Sequence, residues 1–248
     1  MKKGFTLVEL LVVIAIIAIL LMLMAPSVST MLERTRRNVC ANNQHGMGSA
    51  LAHYSAAYKT FLAFPNWRAP ETAGIWVDPG WLYCQRDLSG GWRVVDMQKG
   101  AFWEYIGRLE AYRCPEDKGP YVGTQIMTSY LMNGSVISYG RDWGSGNVNP
   151  LHRSIDFGPL DVIIWEATGP AGDWNDGSSF PREGLASAHR EGAVFACADG
   201  HAEYMSREQI NREVAGQYVY DRMVAAGDPS PCYGPTLLWN NPRARDGR

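Results

Sequence analysis

Met1-Lys2-Lys3-Gly4-Phe5-Thr6-Leu7-Val8-Glu9 opens the chain, and residues 10–25, LLVVIAIIAILLMLMA, continue it without a charged or polar side chain. Residues 5–25 are apolar except for Thr6 and Glu9. As a helix rising ~1.5 Å per residue they extend about 31 Å, the thickness of a bilayer's hydrocarbon layer. The run is therefore expected to be a single membrane-spanning helix. Lys2 and Lys3 precede it, so the positive-inside rule keeps the N-terminus cytoplasmic and sends everything after Pro26 across the inner membrane. An ordinary secretory signal would end in a small-residue cleavage site, and Met24-Ala25-Pro26-Ser27 is a poor match to one. Glu9 is the costly residue here. A carboxylate at the bilayer centre is unfavourable by about 2.5 to 3.5 kcal/mol, so Glu9 needs a partner or must snorkel to the headgroups.

Beyond Pro26 the pattern changes. Val28, Met31, Leu32, Val39, Met47, Leu51 and Tyr54 recur at steps of three and four among Glu33, Arg34, Arg36, Arg37 and Asn38. This spacing predicts an amphipathic continuation of the helix over residues 26–58, one face of which packs on a globular head. Pro26 either bends the helix or ends it, since its ring and missing N–H disturb the hydrogen-bond ladder. Gly46 and Gly48 weaken the second half by ~1 kcal/mol each relative to alanine, which points to a break or a close approach there.

Residues 59–240 read as the head and 241–248 as a flexible tail. Turn signals such as Asp78-Pro79-Gly80, Gly90-Gly91, Asn133-Gly134 and Asp176-Gly177 separate short apolar runs. Strands are expected at 92–97 and 161–167 and a short helix at 101–110. The clearest local pattern is Ala193-Val194-Phe195-Ala196-Cys197-Ala198, then Asp199-Gly200, then His201-Ala202-Glu203-Tyr204-Met205. Asp-Gly between alternating runs predicts a two-residue type I′ hairpin, with Phe195 facing Tyr204 and Val194 facing Met205. The resulting fold class is α+β: a long N-terminal helix on a small antiparallel sheet with loop-rich insertions.

Composition narrows the function. The 248 residues, 46% of them apolar, suffice for one domain with an appendage. With 23 basic and 25 acidic side chains the net charge is −2, and loss of Lys2 and Lys3 would make it more acidic still. No positive field exists to hold nucleic acid. Cys40, Cys84, Cys114, Cys197 and Cys232 contain no C-x-x-C pair, which argues against a zinc ribbon or a thioredoxin-like site. In an exported head a disulfide among Cys40, Cys84 and Cys114 is chemically permissible, with its pairing open.

The basic leader, Gly4, Phe5, Glu9 and the apolar helix together resemble the start of type IV prepilins and type II secretion pseudopilins. The resemblance implies cleavage after Gly4 by a prepilin peptidase and N-methylation of Phe5. It also implies pairing of Glu9 with the Phe5 amine of a neighbouring subunit during assembly, and a helix kink at Pro26. The head would then be periplasmic or on a filament surface, and the partners would be other pilin-like subunits in a type IV pilus-like filament or a type II secretion pseudopilus. His189 followed after nine residues by Asp199-Gly200 resembles the H-X9-DG signature of a large prepilin-like family. Arg37-Asn38-Val39-Cys40 with Asn43, Cys114-Pro115-Glu116-Asp117, Ser129-Tyr130 and Asn133-Gly134 resemble further parts of it. Residues 65–105, rich in tryptophan, depart most from that family.

Candidate chemistry in the head is sparse. His189 and Asp199 stand at opposite ends of a strand, so strand geometry keeps them apart, with His189 anchoring the strand entrance and Asp199 serving the turn. His201 has no second histidine or cysteine at ligand spacing in the sequence. Asp173, Asn175 and Asp176 around a tight turn have a composition suited to calcium, though not the spacing of an EF-hand; a plain polar turn is the alternative. No other cofactor is expected. Nine tryptophans supply either core and interface or a sugar-stacking platform, so the competing reading is a membrane-anchored polysaccharide-binding protein that borrows the leader. No G-x-S-x-G, H-E-x-x-H or P-loop occurs, and Glu166, Asp173 and Asp176 have no spacing that marks an acid/base pair, so an enzyme is not expected.

Overall fold

In the computed structural model the described residues are 5–66, 79–84, 87, 88, 91, 93–121, 123–137, 152–167, 177–179, 189 and 192–213. Thr6 starts the long helix α1, Leu7–Ala57, as its N-cap. The Thr6 hydroxyl accepts from Glu9 N at 3.2 Å, and Glu9 Oε2 accepts in return from Thr6 N at 2.8 Å and from the Thr6 hydroxyl at 2.7 Å. This reciprocal capping box satisfies donors that the first helical turn would otherwise leave open.

The helix runs 51 residues, about 77 Å at 1.5 Å per residue. It passes through Pro26, which excludes the reading of that proline as a terminator. Among the described residues nothing covers its apolar start: Leu7 to Met24 stand exposed, and no residue of the most apolar stretch is buried. The expected docking face is shorter than the pattern suggested. Val28, Met31, Leu32 and Val39 stay exposed, and burial begins at Cys40 and continues through Asn43, Gln44, Met47, Ala50, Leu51 and Ser55. That register follows 3.6 residues per turn along one face.

The head is built on a five-stranded sheet of order β3-β1-β2-β4-β5, comprising β1 (Tyr130–Asn133), β2 (Val162–Glu166), β3 (Ser178–Ser179), β4 (Gly192–Cys197) and β5 (Ala202–Ser206). Four strands pair antiparallel, and the two-residue β3 adds parallel to β1. Helix α1 lies across β4, β5 and β2. Tyr130, Met132, Ile164, Val194 and Ala196 share a buried core with Cys40, Met47 and Leu51, while Leu131, Trp165, Ala193, Phe195 and Met205 form a second apolar cluster. Alternation along each strand divides its side chains between the two. Burial on both faces explains why β2 and β4 read as continuous apolar runs.

The hairpin forms where expected, in a different register. Val194 faces Tyr204, Phe195 faces Glu203 and Ala193 faces Met205. The loop has three residues, not two: Cys197 N bonds His201 O at 2.9 Å, Gly200 N bonds Cys197 O at 2.9 Å, and Gly200 has φ +90°. A type I turn followed by a left-handed glycine is the usual three-residue solution, and its extra residue moves every pair by one. The 92–97 strand is also absent. Trp92 lies outside the described residues, and Val94–Lys99 forms a 3₁₀ helix. Asp96, three residues after Arg93, takes the Arg93 N–H at 3.0 Å and its guanidinium at 2.9 Å and 3.1 Å, which closes a turn in place of a strand. The 101–110 helix is reduced to α2, Trp103–Ile106, ended by Gly107 at φ +63°, before a 3₁₀ turn at Leu109–Tyr112.

Two consequences are measurable. A Cβ on Gly48 would sit 2.6 Å from Gly200 O, so Gly48 is glycine because the helix backbone rests on the hairpin turn. Gly48→Ala should lower head stability by about 1–3 kcal/mol in chemical denaturation of the detergent-solubilised chain. Gly46, with open space around it, should tolerate alanine and serves as the control. The hydrogen bond from Arg93 holds the Asp96 carboxyl below its ordinary pKa. Its folded pKa lies under its unfolded one, so its contribution is full above the ordinary carboxylate range and lost as pH falls through the folded value. Below about pH 4 the melting temperature of wild type should therefore fall more steeply than that of Asp96→Asn.

Candidate functional site

The membrane end comes first. Phe5 is exposed ahead of the capped first turn. Glu9 lies one turn on, with its carboxylate engaged by Thr6 through Oε2. Gly4 lies outside the described residues.

A second constellation sits where α1 meets the sheet. Cys40 is on the buried face of α1. Cys114 follows the 3₁₀ turn at Leu109–Tyr112, where Cys114 N bonds Ser129 Oγ at 3.0 Å and Asp117 N bonds Cys114 O at 3.0 Å. The motif residues after it hold this turn in place. Glu116 Oε1 pairs with Arg36 Nη1 at 2.9 Å, one helical turn before Cys40, and Asp117 Oδ2 accepts from Ser129 Oγ at 2.7 Å and pairs with Arg113 at 3.1 Å. Glu166 ends β2, and His189 forms an isolated bridge with Gly192 at the entrance of β4.

All four side chains are fully buried, and their ligand atoms lie within 4.8 Å of one another. His189 Nε2 is 3.0 Å from Glu166 Oε1 and 3.6 Å from Cys114 Sγ, and the two sulfurs are 2.7 Å apart. Glu166 Oε2 accepts from Val194 N at 3.1 Å. Burial works against charge on the His189 ring, but its contacts with Cys114 and Glu166 outweigh that and hold its pKa up at about 10. Contact with Cys40 brings the Cys114 thiol down to about 7, and the same contact, with burial, raises Cys40. The arrangement is thus two cysteine sulfurs and a carboxyl group facing one imidazole inside the core.

Of the three cysteines considered for a disulfide, Cys40 and Cys114 come together and Cys84 is outside the group; no disulfide is formed among the described cysteines. His189 turns to Glu166 and Cys114 before β4, and Asp199 to His201 after it. Asp199 Oδ1 accepts from His201 N at 3.0 Å and contacts the His201 ring at Nδ1, so it serves the turn. His201 does have neighbours of ligand type, Cys197 and Glu203, which the sequence spacing had not suggested. That group is partly exposed and offers three donors.

Asp173, Asn175, Asp176 and Cys232 lie outside the described residues. Of the tryptophans that are described, Trp81 and Trp165 are fully buried and Trp103 stacks on Tyr112. Sequence reasoning missed Glu166 as a member of the buried cluster. The available signal was a carboxylate closing the otherwise apolar run Val162-Ile163-Ile164-Trp165.

Residues 1–25 match the family described as the prokaryotic N-terminal methylation motif. No curated protein and no solved structure matches the chain. A prepilin-type leader on a long helix that, among the described residues, is apolar enough to cross a membrane, joined to an α+β head, is the make-up of a pilin-like, membrane-anchored subunit.

Proposed function

We propose that the chain is a structural subunit of a type II secretion pseudopilus or type IV pilus-like filament. In this reading a prepilin peptidase cuts between Gly4 and Phe5, Phe5 is N-methylated, and the apolar half of α1 holds the subunit in the inner membrane with its head in the periplasm. Stacking of the exposed apolar helices then builds the filament. The observation that carries this reading is the N-terminal methylation motif at residues 1–25, sitting on a helix whose apolar stretch from Leu7 to Met24 stays exposed among the described residues.

The reading depends on maturation, which mass spectrometry measures. The mature chain should begin at Phe5 and be heavier by one methyl group than the cleaved sequence. Gly4→Leu should leave Met1 to Gly4 attached, because a bulky side chain would obstruct the scissile bond; a cleaved product from that variant would count against the assignment. Crosslinking in cells separates assembly from simple anchoring. A filament subunit gives ladders, whereas a tethered polysaccharide-binding protein stays monomeric.

A further inference from the structure

We propose that Cys40, Cys114, Glu166 and His189 form a structural zinc site that fastens α1 to the head. Four side chains of ligand type, from four separate segments, aim their donor atoms at one point inside the core. Two sulfurs, one imidazole nitrogen and one carboxylate oxygen are each donors that zinc accepts, in the number a tetrahedral site needs.

The metal-free arrangement has a cost that zinc relieves. His189 Nε2 already meets Glu166 Oε1 at 3.0 Å, so the carboxylate is paired and the unresolved contact is the one between the sulfurs. The two sulfurs, 2.7 Å apart, are closer than non-bonded sulfur atoms settle. A shared cation or a covalent bond must resolve that contact. A bond between the sulfurs would engage only two of the four donors, and a cation uses all four. Donors on a tetrahedron with arms of 2.0–2.3 Å stand roughly 3.3–3.8 Å apart. The 3.6 Å and 3.0 Å edges at His189 lie close to that range, and the sulfurs must separate by about 1 Å.

Binding zinc deprotonates both thiols and uses the neutral imidazole through Nε2, releasing protons to solvent without any redox change. Glu166 Oε2 keeps its bond to Val194 N, which orients the carboxylate from behind as outer-shell contacts do. Cys40 lies on α1 and the other ligands on head segments, so the ion would lock the membrane helix to the domain it carries.

The test uses the full chain, with or without its first four residues, extracted from membranes in detergent. Elemental analysis should find about one zinc per chain, retained in Cys197→Ser and lost in Cys114→Ser and His189→Gln. Should those variants fail to fold, the reduced wild-type chain is stripped and titrated with cobalt, which should give thiolate charge-transfer and tetrahedral d–d bands. A metal-free chain lighter by two hydrogens would overturn the proposal in favour of a Cys40–Cys114 disulfide. Zinc lost only in Cys197→Ser, or a cobalt titration without thiolate bands, would overturn it equally. None of these outcomes depends on whether the chain is processed or assembled.

Discussion

Replacing Glu166 by alanine should cost the head about 3–5 kcal/mol, the penalty for stripping one partner from a buried charged pair. Two groups lose their acceptor at once. His189, fully buried, loses the carboxylate 3.0 Å from its Nε2, and Val194 loses the oxygen that takes its N–H at 3.1 Å. Both lie at the junction of β2, β4 and α1, so the damage falls on the seam that joins helix to sheet. In a chain of this size the loss corresponds to a fall in melting temperature of roughly 10 °C. Glu166→Gln keeps the size and an amide oxygen for Val194 while removing the charge, and should cost less, about 1–3 kcal/mol. A double-mutant cycle with His189→Ala should show strong coupling between the two. Melting of Glu166→Ala within about 1 kcal/mol of wild type would mean the pair does not hold the seam.

How far the sequence reached can be judged from the same region. The long helix, the β2 strand and the hairpin were legible because each rests on a local pattern: an unbroken apolar run, a short apolar run, and Asp-Gly between alternating residues. The hairpin register was not, because Asp199-Gly200 supports either a two- or a three-residue loop, and the packing of Gly200 on Gly48 is decided 152 residues away. The 92–97 segment has strand-like residues, yet Asp96 lies three positions from Arg93 and closes a turn, a local hydrogen bond overriding propensity. The apolar residues between Val28 and Val39 were assigned to the head because spacing shows that a face is apolar and not what covers it. The buried cluster is the least legible feature. Cys40, Cys114, Glu166 and His189 come from segments up to 149 residues apart, and only the folded sheet brings them to one point.

The membrane end yields the other large effect. Glu9→Gln should abolish crosslinked ladders while leaving insertion and helix formation intact. Thr6 and Glu9 form a capping box in which glutamine serves at the third position as well as glutamate, so the substitution keeps the local hydrogen bonds and removes only the charge. If the role of Glu9 were confined to capping its own helix, Glu9→Gln would assemble normally and Thr6→Ala would be the damaging change. If the charge pairs with the Phe5 amine of a neighbour, the order reverses. Thr6→Ala then loses only cap energy, about 0.5–2 kcal/mol, and still assembles. Both bonds from Thr6 fall on Glu9 Oε2, which leaves Oε1 to meet a donor from another chain. Carrying a carboxylate into the hydrocarbon costs at most about 2.5 to 3.5 kcal/mol, the value at the bilayer centre, and an intermolecular ion pair offsetting a good part of it shifts association by about tenfold or more. Ladder intensity in Glu9→Gln should therefore fall by at least about tenfold relative to both wild type and Thr6→Ala. Equal ladders in all three chains would show that the charge does not direct assembly.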